Sequence, residues 1–191
     1  IGERTDVRGR GRIAWLCPTL LRGSGGHRTI FHCIRVMAER GFENHLYIER
    51  ERKPGRDDER ETRRLRERLR EFYGPVAAQA WPGWRLRQKY DLLFATAWRT
   101  ARPVADARQD CPKAYLVQDY EPLFMPAGDE SLAAEQSYRL GLRPVAIGRW
   151  LPLKLEREFG VRAARFDFCA DQSIYRPEAP SHEPAVCFVH Q

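Results

Sequence analysis

Short apolar runs alternate with longer amphipathic ones along this chain. Arg12 to Cys17 is nearly all apolar and predicts a first buried strand. After a loop from Pro18 to Gly26, Ile30, Ile34, Met37 and Ala38 recur at helical spacing, and Gly41 follows. This predicts a helix over 27–40 with one buried stripe. His45 to Ile48 predicts a second strand. From Arg50 to Tyr73 the chain is dominated by charge, but Leu65, Leu69 and Phe72 fall at i, i+4 and i+7. Its second half therefore predicts a surface helix with one buried edge.

The same alternation continues. Strands are predicted over 76–80, 91–96, 113–118, 144–147 and 164–168, with a turn at Trp81-Pro-Gly-Trp84. Helices are predicted from about Trp98, over 129–140 and over 150–159. Strands that are apolar throughout, each separated from the next by a helix, imply a parallel sheet covered on both faces. The fold class is α/β, with a Rossmann-like parallel sheet and helices on both faces. Residues 1–170 are assigned to this domain. The Pro-rich stretch 171–184 reads as a linker, and 185–191 as the first strand of a second domain that continues beyond the chain. Because the chain opens on Ile1 rather than Met, residues are expected to precede it.

Composition narrows the class. No apolar run approaches the ~20 residues of a membrane span, and the charged start has no leader-like core. The five cysteines are widely spaced, with no C-x-x-C pair. That argues against a disulfide framework or a zinc site and for a cytoplasmic location. No metal and no cofactor is expected. The net charge of +7 comes from 33 basic and 26 acidic side chains. They are interleaved, which reads as solvated faces rather than a nucleic-acid arm. A peripheral contact with the inner face of the membrane is compatible with the Arg-rich helix.

Open parallel sheets bind ligands outside the carboxyl ends of their strands, so candidate chemistry is sought there. Gly23-Ser-Gly-Gly26 precedes a helix, where backbone N–H groups can face an anion. A dinucleotide, for which Glu49 offers a ribose contact, and a turn without a ligand both remain alternatives. Asp119 and Glu121 lie two apart in Gln118-Asp-Tyr-Glu-Pro122. In an extended segment they share a face, as groups orienting or deprotonating a substrate hydroxyl, or they cap a turn. Pro122 is expected to hold Glu121 extended toward the cleft. Trp98 and Trp150 read as core or as sugar-stacking rings, and Arg99 and Arg149 as exposed.

Three segments, Gly25-Gly-His-Arg-Thr-Ile-Phe31, Tyr115-Leu-Val-Gln-Asp-Tyr-Glu-Pro-Leu-Phe124 and Ala146-Ile-Gly-Arg-Trp-Leu151, resemble the N-terminal domain of bacterial rhamnosyltransferases. These are retaining glycosyltransferases of the GT-B fold (family 4-like) that assemble S-layer and O-antigen glycans. The resemblance runs from about Arg12 to Val189, and Asp171-x-x-x-Tyr175-x-Pro177 resembles the hinge into the second domain. It implies the N-terminal, acceptor-side half of an enzyme that moves a deoxyhexose, with rhamnose expected, from a nucleoside diphosphate sugar to a glycan acceptor. The catalytic groups then lie in the second domain, and the fragment alone is inactive. Gly25, Gly26 and His27 are implied to approach the donor phosphates. Thr96, Trp98, Asp119, Tyr120 and Glu121 are implied to face the acceptor. A dinucleotide-dependent oxidoreductase domain and a non-catalytic glycan- or partner-binding module are the rival readings.

Overall fold

The computed structural model describes residues 11–51 and 58–167. Seven strands form one sheet: β1 (Arg12–Cys17), β2 (Glu43–Ile48), β3 (Gln79–Pro82), β4 (Leu92–Ala95), β5 (Lys113–Val117), β6 (Arg143–Ile147) and β7 (Ala164–Phe166). Their order is β3-β2-β1-β4-β5-β6-β7, and every pairing is parallel. Five helices connect them: α1 (Gly25–Glu39), α2 (Asp58–Tyr73), α3 (Trp98–Asp106), α4 (Asp129–Ser137) and α5 (Trp150–Phe159). This is the expected Rossmann-like α/β architecture.

The apolar strands need cover on both faces, and two cores provide it. Ile13, Trp15 and Cys17 of β1 point to one face, with Phe94 and Leu116, under Ile30 and Ile34 of α1 and Leu65 and Leu69 of α2. Ala14, Leu16, Leu93, Ala95, Tyr115 and Val117 point to the other, under Ala101, Val104, Leu151 and Leu155 of α3 and α5. Trp15 and Phe94 stack with centroids 4.3 Å apart, which locks β1 against β4. Cys17 is an inert core thiol, its pKa pushed up to about 12 by burial despite a hydrogen bond with Thr96.

A buried polar clamp fixes the amino end of this core. Asn44 accepts from Trp15 Nε1 at 2.9 Å and donates to the carbonyls of Ile34 and Phe42. Asn44→Ala leaves the buried indole N–H without its acceptor and takes a donor from two carbonyls. It is expected to lower unfolding free energy by about 2–4 kcal/mol. Urea denaturation of the variant checks this, and a loss under ~0.5 kcal/mol contradicts it.

Most elements lie within a few residues of their sequence prediction. Two differences have clear causes. Helix α1 starts at Gly25, ahead of the expected His27, because Ser24 caps it: its Oγ accepts from the His27 amide at 3.3 Å. The third strand slides from 76–80 to Gln79–Pro82 and so takes in Trp81, where the sequence predicts a turn. Its register on β2 pairs His45 with Gln79 and Ile48 with Pro82. A proline is tolerated there because β3 is an edge strand. Among the described residues, no helix is long and apolar enough to cross a membrane. The expected linker and last strand, 171–191, and Cys169 and Cys187 lie outside the described residues.

Candidate functional site at the carboxyl edge

The strand order reverses between β1 and β4, so the crevice of this sheet lies outside their carboxyl ends. Helix α1 follows β1 on one face, and α3 follows β4 on the other. Both amino termini therefore point into the same crevice, and their capping differs.

The start of α3 is closed from within. Thr100 Oγ1 accepts from the amides of Thr96 and Ala97 at 2.9 and 3.1 Å. The carboxylate of Glu121 accepts from the Trp98 amide at 2.6 Å and from the Tyr115 hydroxyl at 2.8 Å. A carboxyl group of the protein's own already occupies this helix terminus.

The start of α1 is open. Ser24 satisfies the His27 amide by its hydroxyl and the Arg28 amide by its carbonyl. The amides of Gly25 and Gly26 have no partner among the described residues. The first turn also carries no acid. Nothing in the fold requires glycine at either position. Neither has a positive φ, and a Cβ on Gly25 meets nothing within 4 Å. On Gly26 a Cβ meets only the Gln118 amide at 3.6 Å and Ser24 Oγ at 3.7 Å, which is ordinary contact. What the two glycines provide is bare backbone facing the crevice, the requirement for close approach of an anion.

The loop ahead of this terminus is held on several sides. Tyr73, the last residue of α2, donates its hydroxyl to the Leu21 carbonyl. Thr19 donates its amide and hydroxyl to Glu49 at 3.4 Å each. Glu49 does follow β2, where a ribose-binding acid belongs, but its carboxylate is turned onto this loop.

The residues expected in the site divide. Gly25 and Gly26 line the crevice through their backbone. His27 does not offer its side chain. The ring is 4% exposed, packed beside Phe31 and Tyr73, and its Nε2 has no partner among the described residues. Burial holds its pKa down, against the pull of the Pro18 carbonyl, so the imidazole is neutral at neutral pH. Thr96 is buried and donates its hydroxyl to the Leu16 carbonyl at 2.8 Å, tying β4 to β1. Trp98 is half-buried, with the Arg99 guanidinium 4.7 Å from its ring centroid.

The two carboxylates do not share a face. Asp119 is exposed, and its Oδ1 accepts from the Tyr120 amide at 2.7 Å. Glu121, expected to be extended toward the cleft, instead opens a 3-10 turn over Glu121–Phe124. Pro122 fits the second position of such a turn, so it fixes a tight bend rather than an extended segment. Glu121 is turned inward, and burial raises its pKa to about 7, against the hydrogen bonds from Tyr115 and Trp98 and with a small push from Asp119. Tyr120 is buried and stacks on Tyr138 at 5.8 Å. Trp150, for which core and a sugar-stacking ring were the alternatives, is exposed rather than core, and Arg99 and Arg149 are exposed as expected.

Gln118 enters the sequence reading only as the first residue of the acidic segment, with no role of its own. It follows β5 and puts its amide beside Gly26, so it joins the acidic segment to the open helix terminus. Its position, the first polar residue after a buried strand, was the available signal.

No protein-family model matches this chain. Over 96 residues, half of its length, it is 35% identical to a protein of Myxococcus xanthus named O-antigen biosynthesis protein RfbC. The matched stretch spans 8% of that much longer protein.

Proposed function

We propose that this chain is the acceptor-side domain of a retaining glycosyltransferase acting in glycan assembly. It moves a deoxyhexose, with rhamnose first among them, from a nucleoside diphosphate sugar to a surface glycan. The observation that carries the reading is the open start of α1. Two adjacent amides face the switch-point crevice from glycines that packing does not require. A diphosphate fits such a terminus, because its oxygens take both amides and its charge opposes the helix dipole. Similarity to a protein named for O-antigen biosynthesis supports sugar chemistry over a dinucleotide. The inward turn of Glu49 toward Thr19 supports the same choice.

In this reading a second domain supplies most contacts to the donor, and α1 closes over its phosphates from the opposite wall. The chain by itself then binds donor weakly. Calorimetry with a nucleotide-rhamnose is expected to give negligible heat for residues 1–191. A dissociation constant below ~10⁻⁶ M, about −8 kcal/mol, contradicts the division of labour between two domains. Tight binding of a nicotinamide dinucleotide instead supports the oxidoreductase reading. The decisive assay follows label from nucleotide-rhamnose into O-polysaccharide with the full-length protein. Absence of transfer from every nucleotide sugar tried overturns the proposal.

A further inference from the structure

Trp150 opens α5 at the carboxyl edge of β6, and the residue is 56% exposed. A large apolar ring so open to water calls for an explanation when it is also held in place. Its ring meets Tyr120 edge-on, with centroids 6.4 Å apart and planes at 83°. The ammonium of Lys154, one turn on, lies 5.6 Å from the indole centroid and 4.1 Å from that of Tyr120. Glu158 anchors that ammonium at 2.6 Å. The indole is thus oriented before anything binds, which lowers the entropy lost when a partner stacks on it.

The polar groups around it suit a sugar. Asp119, next to Tyr120, is exposed and uses only Oδ1 within the described residues. Arg149, next to Trp150, is exposed and has no partner among them. A pyranose has an apolar C–H face for an indole and a rim of hydroxyls. A carboxylate oxygen and a guanidinium are acceptor and donors for that rim. An anionic membrane fits less well, because Asp119 and Asp129 are exposed on the same edge, where Glu130 is ion-paired with Arg99.

We propose that Trp150 is the platform on which a pyranose ring of the glycan acceptor stacks, with Asp119 and Arg149 binding its hydroxyls. This rests on the glycosyltransferase reading above and adds to it a substrate subsite on α5.

The test uses full-length protein labelled with 5-fluorotryptophan and titrated with O-polysaccharide freed of lipid A by mild acid. Trp150→Phe assigns the fluorine resonance. The Trp150 signal is expected to move while that of buried Trp15 stays. Trp150→Ala is expected to weaken polysaccharide binding and raise acceptor KM roughly tenfold, with kcat little changed and Trp150→Phe restoring most of the loss. The variant should fold, because the ring is largely outside the core. Binding that leaves the Trp150 signal and the Trp150→Ala affinity unchanged overturns the platform but not the proposed function. No polysaccharide binding together with no sugar transfer overturns both. A shift with phosphatidylglycerol vesicles but not with polysaccharide overturns it in favour of a lipid contact.

Discussion

Gly26→Val in the full-length protein is expected to cut sugar transfer on the order of 10²–10³-fold while the fold stays intact. The loss follows from what occupies the space above Gly26. The nearest atoms to an added Cβ are the far end of the flexible Gln118 side chain and Ser24 Oγ, at 3.6 and 3.7 Å. The protein can accept a side chain there, and the backbone lies in ordinary helical space. A phosphate drawn to the Gly25 and Gly26 amides cannot accept it, because a branched side chain stands where its oxygens approach. Gly26→Ala separates fold from function more finely. Alanine favours the helix over glycine by at most about 1 kcal/mol, so the melting temperature should hold or rise while activity falls. Parallel kinetics and melting curves decide. Full activity in the folded valine variant reduces the glycine pair to a helix start without a ligand.

That contrast also marks how far the sequence could be read. The sheet and both helix layers were legible because β1, β4 and β5 are apolar on both faces and the helices carry single stripes. The glycine pair was legible as a place, directly before a helix. Its openness was not, because that depends on Ser24 satisfying two amides and leaving two free. The acidic segment was misread for a physical reason. Spacing alone treats Asp119 and Glu121 as neighbours on one extended face, whereas a 3-10 turn sends one outward and the other inward. The partner that draws Glu121 inward is the Trp98 amide, 23 residues away in sequence. No local pattern announces such a pairing. For Trp150 the sequence left core and an exposed, stacking ring as alternatives. Its neighbours Leu151 and Leu155 do enter the core, and only the start position of α5 decides that the indole stays out.

Glu121→Gln is expected to make the chain more stable at pH 8 than the wild type, and no more stable than it at pH 5. Burial raises the Glu121 pKa to about 7 from an ordinary 4.5. Between those values the native chain holds a proton that the unfolded chain releases. Native stability therefore falls as pH rises through this window, and the full cost is present above pH 7. A rise of this size corresponds to about 3 kcal/mol. Glutamine keeps an oxygen to accept from the Trp98 amide or the Tyr115 hydroxyl and never ionises, so its variant lacks this slope. Glu121→Ala is different. It leaves the Tyr115 hydroxyl and the first turn of α3 without their acceptor at every pH, at a cost of about 2–4 kcal/mol. Denaturant titrations of the three proteins from pH 4.5 to 8 test the set. Parallel wild-type and Glu121→Gln curves mean that the two hydrogen bonds outweigh burial and keep the carboxylate ionised throughout. Kinetics of the same variant in the full-length protein test its role. A cap that touches no substrate predicts turnover close to wild type wherever the fold holds. A loss beyond ~10²-fold in folded Glu121→Gln would return this carboxylate to the chemistry, as a base that reaches the acceptor only when the 3-10 turn opens.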